Sequence, residues 1–354
     1  MHESSPPAEV PALFRRYPQL QGRLPRVPLL DGPTAVHRLP GIERAVGRPG
    51  LWIKRDDRSA RPYGGNKPRK LEFLLGDARA RRARHLVTFG GLGSHHALAT
   101  ALYGRRHGFR VTAILVPQPI TDGVRQNLAL LQALGAVTVR TSASRLDAAR
   151  AAVLAWLAAT LRGEAPYVVP PGGSSPLGTV GYVSAGLELA EQVAAGELPA
   201  PGAVYVACGS NGTAAGMLLG LRLGGLSSTL VAVRVSDRLR VDARRVASLA
   251  RDALALLRKH AAISRVEVAA SDVRVVEGFL GPGYGHPTPE AEEAVALARE
   301  AEGLTLEITY TGKALAAFLE AARATGSHGE RPLLFWHTYN SHPLEDLLRE
   351  TADG

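Results

Sequence analysis

Short runs of β-branched and apolar residues alternate along the chain with longer stretches in which apolar positions recur every three or four residues. The short runs predict strands at Leu51–Lys54, His85–Phe89, Val111–Val116, Ala136–Arg140, Tyr167–Val169, Val204–Ala207, Thr229–Val235 and Leu333–Trp336. The longer stretches predict helices over Lys67–Ala80, Ser94–His107, Thr121–Leu134, Ser144–Leu161, Tyr182–Ala194, Thr213–Leu223, Val241–His260, Thr288–Ala301 and Tyr310–Ala324. Strand, helix and strand repeated in this way mean parallel pairing through crossover helices, so the expected class is α/β with open parallel sheets and helices on both faces. Glycine and proline cluster at Arg61–Pro68, Gly90–Gly93, Pro170–Gly178, Gly209–Gly216 and Gly281–Pro289. Loops after the carboxyl ends of parallel strands form the ligand crevice of such sheets, so these clusters are expected to share one site.

Composition narrows the field. With 354 residues, the chain has room for two domains or one large unit; 45% hydrophobic and 21% charged residues are ordinary globular usage. The single cysteine, Cys208, excludes an internal disulfide and a cysteine-based zinc cluster, which leaves the cytoplasm as the default location. A net charge of +10 raises the question of nucleic acid, but the arginines are scattered over nearly every helical stretch, as expected of solvated helix faces. No nucleic-acid partner is expected. Only five of the 42 basic residues are lysine, and Lys54, Lys67 and Lys70 lie close together. Met1 to Pro18 lacks the apolar core of a signal peptide, and Ala148–Leu161 is too short to span a bilayer, reading instead as an amphipathic soluble helix.

Four segments could carry chemistry. In Gly64-Gly65-Asn66-Lys67-Pro68-Arg69-Lys70-Leu71-Glu72, Asn66 is expected to cap a helix, which puts Lys67 at its N-terminus. The helix dipole, Lys70 and burial would all disfavour a charged Lys67, lowering its pKa toward that of a nucleophilic amine. An apolar strand, a small-residue turn and a helix start follow one another at Val204 to Gly216; backbone N–H groups in such a turn bind phosphate without a basic side chain. Its spacing matches neither a nucleotide P-loop nor a dinucleotide fingerprint. The run Phe89 to His96 repeats the arrangement, with Ser94 as cap and N–H groups suited to a substrate carboxylate. Adjacent histidines diverge on a helix, so His95 and His96 do not suggest a shared metal, and no metal is expected. The fourth group comprises Gly283-Tyr284-Gly285, Tyr310-Thr311-Gly312-Lys313 and His337-Thr338-Tyr339-Asn340-Ser341, where the tyrosines could donate protons or simply pack.

Together, in order, these motifs resemble the pyridoxal-phosphate family that contains D-cysteine desulfhydrase and 1-aminocyclopropane-1-carboxylate deaminase, with the tryptophan synthase β-like fold (fold type II). The most specific stretch is Trp52-Ile53-Lys54-Arg55-Asp56-Asp57 followed by the Lys67 run. The resemblance implies pyridoxal 5'-phosphate carried on Lys67, with Lys70 near the phosphate and Ser210, Asn211, Gly212 and Thr213 cradling it. It further implies Ser94, His95 and His96 facing the substrate, Tyr284 and Tyr310 lining the reacting face, and Thr338 near the pyridine nitrogen. Residues 1–69 and 182–354 would form the cofactor domain, with 70–181 a smaller mobile domain inserted in it, and the assembly would be a homodimer. Thr311 and Thr338 match desulfhydrase-like members, which favours β-elimination on a small amino acid to pyruvate, ammonia and sulfide. Alternatives are cyclopropane-ring opening, elimination from another β-substituted amino acid, or a non-catalytic protein on the same fold that binds nucleic acid or another ligand. Three positions depart from the family: His95 stands where it has asparagine, Tyr339-Asn340 where it has two glycines, and Asn211 where it has a loop glycine.

Overall fold

Two sheets organise the residues that the computed structural model describes, which are 10–324, 331–344 and 347. The expectation for Met1 to Pro18 therefore lies partly, at residues 1–9, outside the described residues. The strands are β1 (Val36–Arg38), β2 (Leu51–Lys54), β3 (His85–Gly91), β4 (Arg110–Val116), β5 (Val137–Arg140), β6 (Pro166–Val169), β7 (Ala203–Cys208), β8 (Thr229–Arg234), β9 (Val273–Val276) and β10 (Leu333–Trp336). The helices are α1 (Ala12–Arg16), α2 (Pro40–Val46), α3 (Asn66–Ala80), α4 (His95–Arg106), α5 (Asp122–Ala133), α6 (Arg145–Leu161), α7 (Pro176–Ala194), α8 (Gly212–Leu223), α9 (Ala243–Arg258), α10 (Pro289–Glu302) and α11 (Thr311–Arg323).

The larger sheet runs β1-β2-β10-β7-β8-β9 and the smaller β5-β4-β3-β6. All pairings are parallel except at one edge, where β1 lies antiparallel to β2 with Val36 opposite Lys54. Strand β10, from the far end of the chain, inserts between β2 and β7, pairing Leu333 with both Leu51 and Ala203. The ends of the chain thus meet in one sheet. β7 is buried at every position, as its unbroken apolar run requires of a central parallel strand. Its alternate residues serve two cores: Val204 and Val206 face α7, α8 and α9, while Tyr205 faces α11 and the α10 side. A third core joins β3 and β4 to α3, α4 and α5.

The expected elements are present, with four instructive differences. β1 and β9 carry no sustained apolar run, and their pattern alone did not mark them. The short helices α1 and α2 were also unmarked; each is too brief to show a helical period. Helix α7 begins at Pro176, capped by the Ser175 hydroxyl on the Gly178 N–H, rather than at Tyr182. Gly178 and Gly181 read as loop punctuation, yet a Cβ at Gly181 would lie 1.9 Å from the Arg69 carbonyl oxygen, so close approach of α3 explains that glycine. Finally, α6 is not amphipathic in the expected sense. Its large apolar residues Leu146, Val153, Leu154, Trp156, Leu157 and Leu161 are exposed, while alanines face the interior. Among the described residues, no helix is long and apolar enough to cross a membrane.

Candidate active site

The turn before α3 is stitched to the loop after β10. Gly65, not Asn66, occupies the N-cap, with φ +85°, and a Cβ there would stand 2.7 Å from the Thr338 carbonyl oxygen. Asn66 is the first helical residue; its backbone N–H donates to that carbonyl (3.1 Å) and its side-chain amide to the Thr213 hydroxyl (3.0 Å). Its amide is therefore committed to the first turn of α8 and does not cap the helix. The Gly64 N–H donates to Asn340 Oδ1 (2.7 Å), and the Asn340 amide donates to the His342 carbonyl (2.8 Å). Asn340, one of the departures from the family pattern, thus folds back to hold the Lys67 turn.

Beneath this turn lies a buried ion network. The Arg69 guanidinium meets Asp56 at 2.7 Å and Glu188 at 2.9 Å, and the Lys54 ammonium meets Glu188 at 2.6 Å. Lys54 also donates to the Thr34 carbonyl and to Gln192, each at 2.6 Å, and the Tyr182 hydroxyl donates to Asp56 at 2.6 Å. Every charge is paired and hydrogen-bonded, the condition under which a buried ion cluster is tolerated. Because Arg69 is two residues beyond Lys67, the network fixes the first turn of α3.

Among the described residues, Lys67 itself has no such partner. It is half-buried, lines the cavity, and is brought down to about 8 by desolvation, with the Glu307 carboxylate opposing the fall. The expected pressure from Lys70 runs the other way: burial first, then Lys67, pushes the buried Lys70 ammonium well below the usual lysine range. Lys70 donates to the Gly172 carbonyl (3.0 Å) and the Ser174 hydroxyl (3.4 Å).

Those contacts lead to an anion cradle. Ser174 shares a hydrogen bond with Ser210 (2.8 Å) and accepts from the Gly212 N–H (3.2 Å). Asn211 adopts the left-handed conformation, φ +65°, which asparagine tolerates, and its amide donates to the Arg240 carbonyl (3.0 Å). The N-cap Asn211 makes no side-chain cap on α8; the Gly212 N–H is held by the Ser174 hydroxyl and the Ser210 carbonyl (2.9 Å), and Thr213 and Ala214 of the first turn line the cavity at the positive end of the helix dipole. A Cβ at Gly212 would lie 2.5 Å from the Ser174 hydroxyl and 3.0 Å from Lys70 Nζ, filling the cradle.

Across the cavity Ser94 caps α4 through the Ala97 N–H (3.2 Å). His95 is pushed down to about 4 by desolvation and then by Lys67, so its ring is neutral. The Tyr63 hydroxyl donates to His95 Nδ1 (2.6 Å) and the Asn127 amide approaches the same atom (3.4 Å), which leaves the ring proton on Nε2. The Tyr339 ring, the other departure, packs edge-on to His95 at 5.0 Å. His96 is buried and turned to Thr88 and the Pro170 carbonyl, each 3.1 Å from Nε2. The Tyr284 and Tyr310 hydroxyls are hydrogen-bonded to each other, their rings 5.8 Å apart, and burial raises both pKa values. Glu307 accepts N–H groups from Thr309, Tyr310 and Thr311 and the Thr311 hydroxyl; burial nevertheless raises its pKa.

One cavity of 690 Å³ brings these residues together. Of the residues singled out in the sequence, Lys67, Ser94, His95, His96, Ser210, Asn211, Thr213, Tyr284, Tyr310 and Thr338 line it; Lys70 and Gly212 lie behind the cradle. Sequence reasoning missed Tyr63 and Glu307. Both stand within three or four residues of a recognised motif, and that proximity was the signal available. Pyridoxal phosphate fits the donor set: a helix start with the Ser210 and Thr213 hydroxyls for its phosphate, a depressed amine for its aldehyde, a histidine N–H and a threonine hydroxyl for its ring.

Comparison with known proteins agrees with that fit. The profile of a family described as pyridoxal-phosphate dependent enzymes matches residues 27–338. The chain is 40% identical to the nocardicin C-9' epimerase of Nocardia uniformis subsp. tsuyamanensis over 336 residues, 92% of this chain and 96% of that one. It is 36% identical to a D-cysteine desulfhydrase of Salmonella choleraesuis over 332 residues, 89% of this chain and 94% of that one. A solved structure described as an ACC deaminase homologue superposes with a TM-score of 0.80 at 31% identity, covering 97% of this chain and 100% of that one.

Proposed function

Because the chain belongs to the family of pyridoxal-phosphate dependent enzymes, we propose that it is a lyase that removes the Cα proton of an amino acid and expels its β-substituent. The product set for a D-cysteine-like substrate is pyruvate, ammonia and sulfide. Pyridoxal phosphate, when bound, supplies the electron sink that makes the Cα–H bond acidic. The observation that carries the reading is Lys67: an amine held near 8, without a hydrogen-bond partner among the described residues, in one cavity with a phosphate cradle and a paired-tyrosine proton source. Lys67 anchors the cofactor and then takes the Cα proton; the Ser94 turn orients the substrate carboxylate; Tyr284 and Tyr310 hold a proton for the departing group. Thr311 spends its hydroxyl on Glu307, so that position sends no group of its own toward a cyclopropane ring, which favours elimination over ring opening. Thr338, a neutral hydroxyl, is assigned to the pyridine nitrogen.

A second reading is epimerisation at the amino-bearing carbon, favoured by the relative of that activity at 40% identity. One experiment separates the two. Holoenzyme is incubated in deuterium oxide with D- and L-cysteine and with aminocyclopropane carboxylate, and keto-acid release and Cα deuteration are followed together. Pyruvate release supports elimination, deuteration with inversion and no pyruvate supports epimerisation, and 2-oxobutyrate supports ring opening. If none is produced, the lyase reading falls. The same reading carries the division into 1–69 with 182–354 and a mobile 70–181, a cytoplasmic homodimer, and the absence of a nucleic-acid partner; its support is the motif resemblance, and sedimentation of the holoenzyme tests the dimer.

A further inference from the structure

One buried charge near the tyrosine pair takes no part in the proposed chemistry. Lys313, in the first turn of α11, is fully buried, and its ammonium donates to the Leu280 carbonyl (2.7 Å). Among the described residues no carboxylate stands within ion-pair distance of it; burial lowers its pKa, and Glu307 and Asp237 oppose the fall from further off. A buried ammonium with a single carbonyl partner is costlier to fold than an apolar side chain of similar length. What it holds explains its presence.

Leu280 lies on the connection between β9 and α10, residues 277–288, which also carries Tyr284. Phe279 packs into a core near its start, but the rest has little lattice of its own. Among the described residues, one backbone hydrogen bond begins and ends within the connection, from the His286 N–H to the Gly283 carbonyl (3.3 Å). Tyr284 is nevertheless hydrogen-bonded to Tyr310. Because Tyr310 immediately precedes α11, the Lys313 ammonium ties the helix that begins beside one tyrosine to the loop that carries the other. Glu307 acts at the other tyrosine. Its carboxylate accepts the N–H groups of Thr309 (2.7 Å), Tyr310 (2.9 Å) and Thr311 (2.7 Å), which fixes the backbone from which the Tyr310 ring projects.

We propose that Lys313 and Glu307 are positioning residues that clamp the Tyr284 and Tyr310 hydroxyls into one mutual hydrogen bond, ready to protonate the departing β-substituent. The inference rests on the elimination reading. In that step Lys67 takes the Cα proton, the Cα–H electron pair ends in a Cα–Cβ double bond, and the bond from Cβ to the leaving atom breaks with its electron pair on that atom. A tyrosine hydroxyl supplies the leaving atom's proton and is reprotonated from solvent; water then supplies the oxygen of pyruvate as ammonia departs. A leaving group that needs no proton should be indifferent to the clamp.

The test compares two probes on the holoenzyme: D-cysteine, whose sulfur leaves with a proton, and β-chloro-D-alanine, whose chloride leaves without one, each also as its L form. Pyruvate release is followed. Lys313→Met should slow release from cysteine by about 10²-fold, in kcat and not in KM, and release from the chloro compound by no more than about threefold. In the cofactor-free chain, the ζ-carbon resonances of Tyr284 and Tyr310, assigned through Tyr284→Phe and Tyr310→Phe, should move toward those of free tyrosine. Glu307→Gln keeps one acceptor for the Tyr310 N–H, so it should act in the same direction by about tenfold; it serves if Lys313→Met does not fold. Equal slowing of the two probes, no slowing of either, or resonances that stay in place would overturn the clamp while elimination stands. If the wild-type holoenzyme releases pyruvate from neither probe, the lyase reading falls. The tyrosine resonances then decide the clamp, which their movement supports and their constancy overturns.

Discussion

Two lysines thirteen residues apart, Lys54 buried and Lys67 half-buried, have opposite surroundings. Lys54 lies in the floor beneath α3, where Glu188, Gln192 and the Thr34 carbonyl each stand 2.6 Å from its ammonium. Lys67 lies in the cavity above, with no hydrogen-bond partner among the described residues and with desolvation as the leading influence. Desolvation lowers both pKa values, but Lys54 has a carboxylate at contact distance to restrain the fall. The difference separates a lysine that holds the site in place from one available to do chemistry. On the proposed reading the same side chain serves as ballast at one position and as reagent at the other, and only its neighbours distinguish the two.

The sharpest test of that contrast is to remove each lysine's function separately. Lys67→Ala is expected to cut turnover by about 10³-fold or more while leaving the urea midpoint of the cofactor-free chain unchanged or raised, because an unpaired desolvated amine is lost. A fall in stability matching that of the floor variants described next would show that Lys67 is structural after all. The covalent link is checked by borohydride reduction followed by mass spectrometry of the Lys67 peptide.

The floor should behave in the reverse way. Arg69→Met removes the cation shared by Asp56 and Glu188, strands the buried Asp56 carboxylate and leaves Glu188 with Lys54 alone, so about 3–5 kcal/mol of stability should be lost, read from urea unfolding. Any loss of turnover should follow from the loosened first turn of α3, and the folded fraction should retain the Lys67 reaction with borohydride. A fully active variant with unchanged stability would break the comparison.

Most of the architecture was legible because it is local. The central parallel strands are continuous apolar runs, and the glycine turns that form the cradle are contiguous in sequence, so both could be read without knowing their neighbours. What escaped depends on contacts far apart in the chain. The left-handed Gly65 cap is imposed by the Thr338 carbonyl, Asn340 reaches back to the Gly64 N–H, and Gly181 of α7 answers to the Arg69 carbonyl. Glu307 escaped for a different reason: a carboxylate near a helix start reads as an ordinary solvated charge, and only the fold shows it half-buried in the cavity wall, where it acts on Tyr310.

The contrast also has a pH signature. Glu188 is held at about 2, against an ordinary 4.5, by Arg69 and Lys54 despite its desolvation. Between those values the unfolded chain binds more protons than the folded one, so the floor's contribution is complete above the ordinary pKa and is lost as the pH falls toward 2. Lys67, at about 8 against an ordinary 10.5, loses its proton in the folded chain first. Stability of the cofactor-free protein should therefore rise between those two values, and Lys67→Ala should flatten that rise. Uptake of pyridoxal phosphate, which needs the free amine, should accelerate about tenfold per pH unit up to about 8 and then level off. An uptake profile centred on the ordinary lysine value would contradict the depressed amine.

The smallest expected effect tests how the cavity wall is prepared. Tyr63 donates to His95 Nδ1, while its own carbonyl accepts from the Tyr103 hydroxyl, so the ring proton on Nε2 is set by a short chain of buried groups. Tyr63→Phe keeps the ring that stacks near His95 at 6.4 Å but removes the donor. About 1 kcal/mol of stability should go with the hydrogen bond, and imidazole nitrogen chemical shifts should move from one tautomer toward a mixture. A merely structural role for Tyr63 would lower stability and leave those shifts alone. Because the Asn127 amide still approaches Nδ1, the tautomer preference should weaken and not invert, which ties the donor at His95 Nε2 to the particular neighbours that this chain places around a histidine.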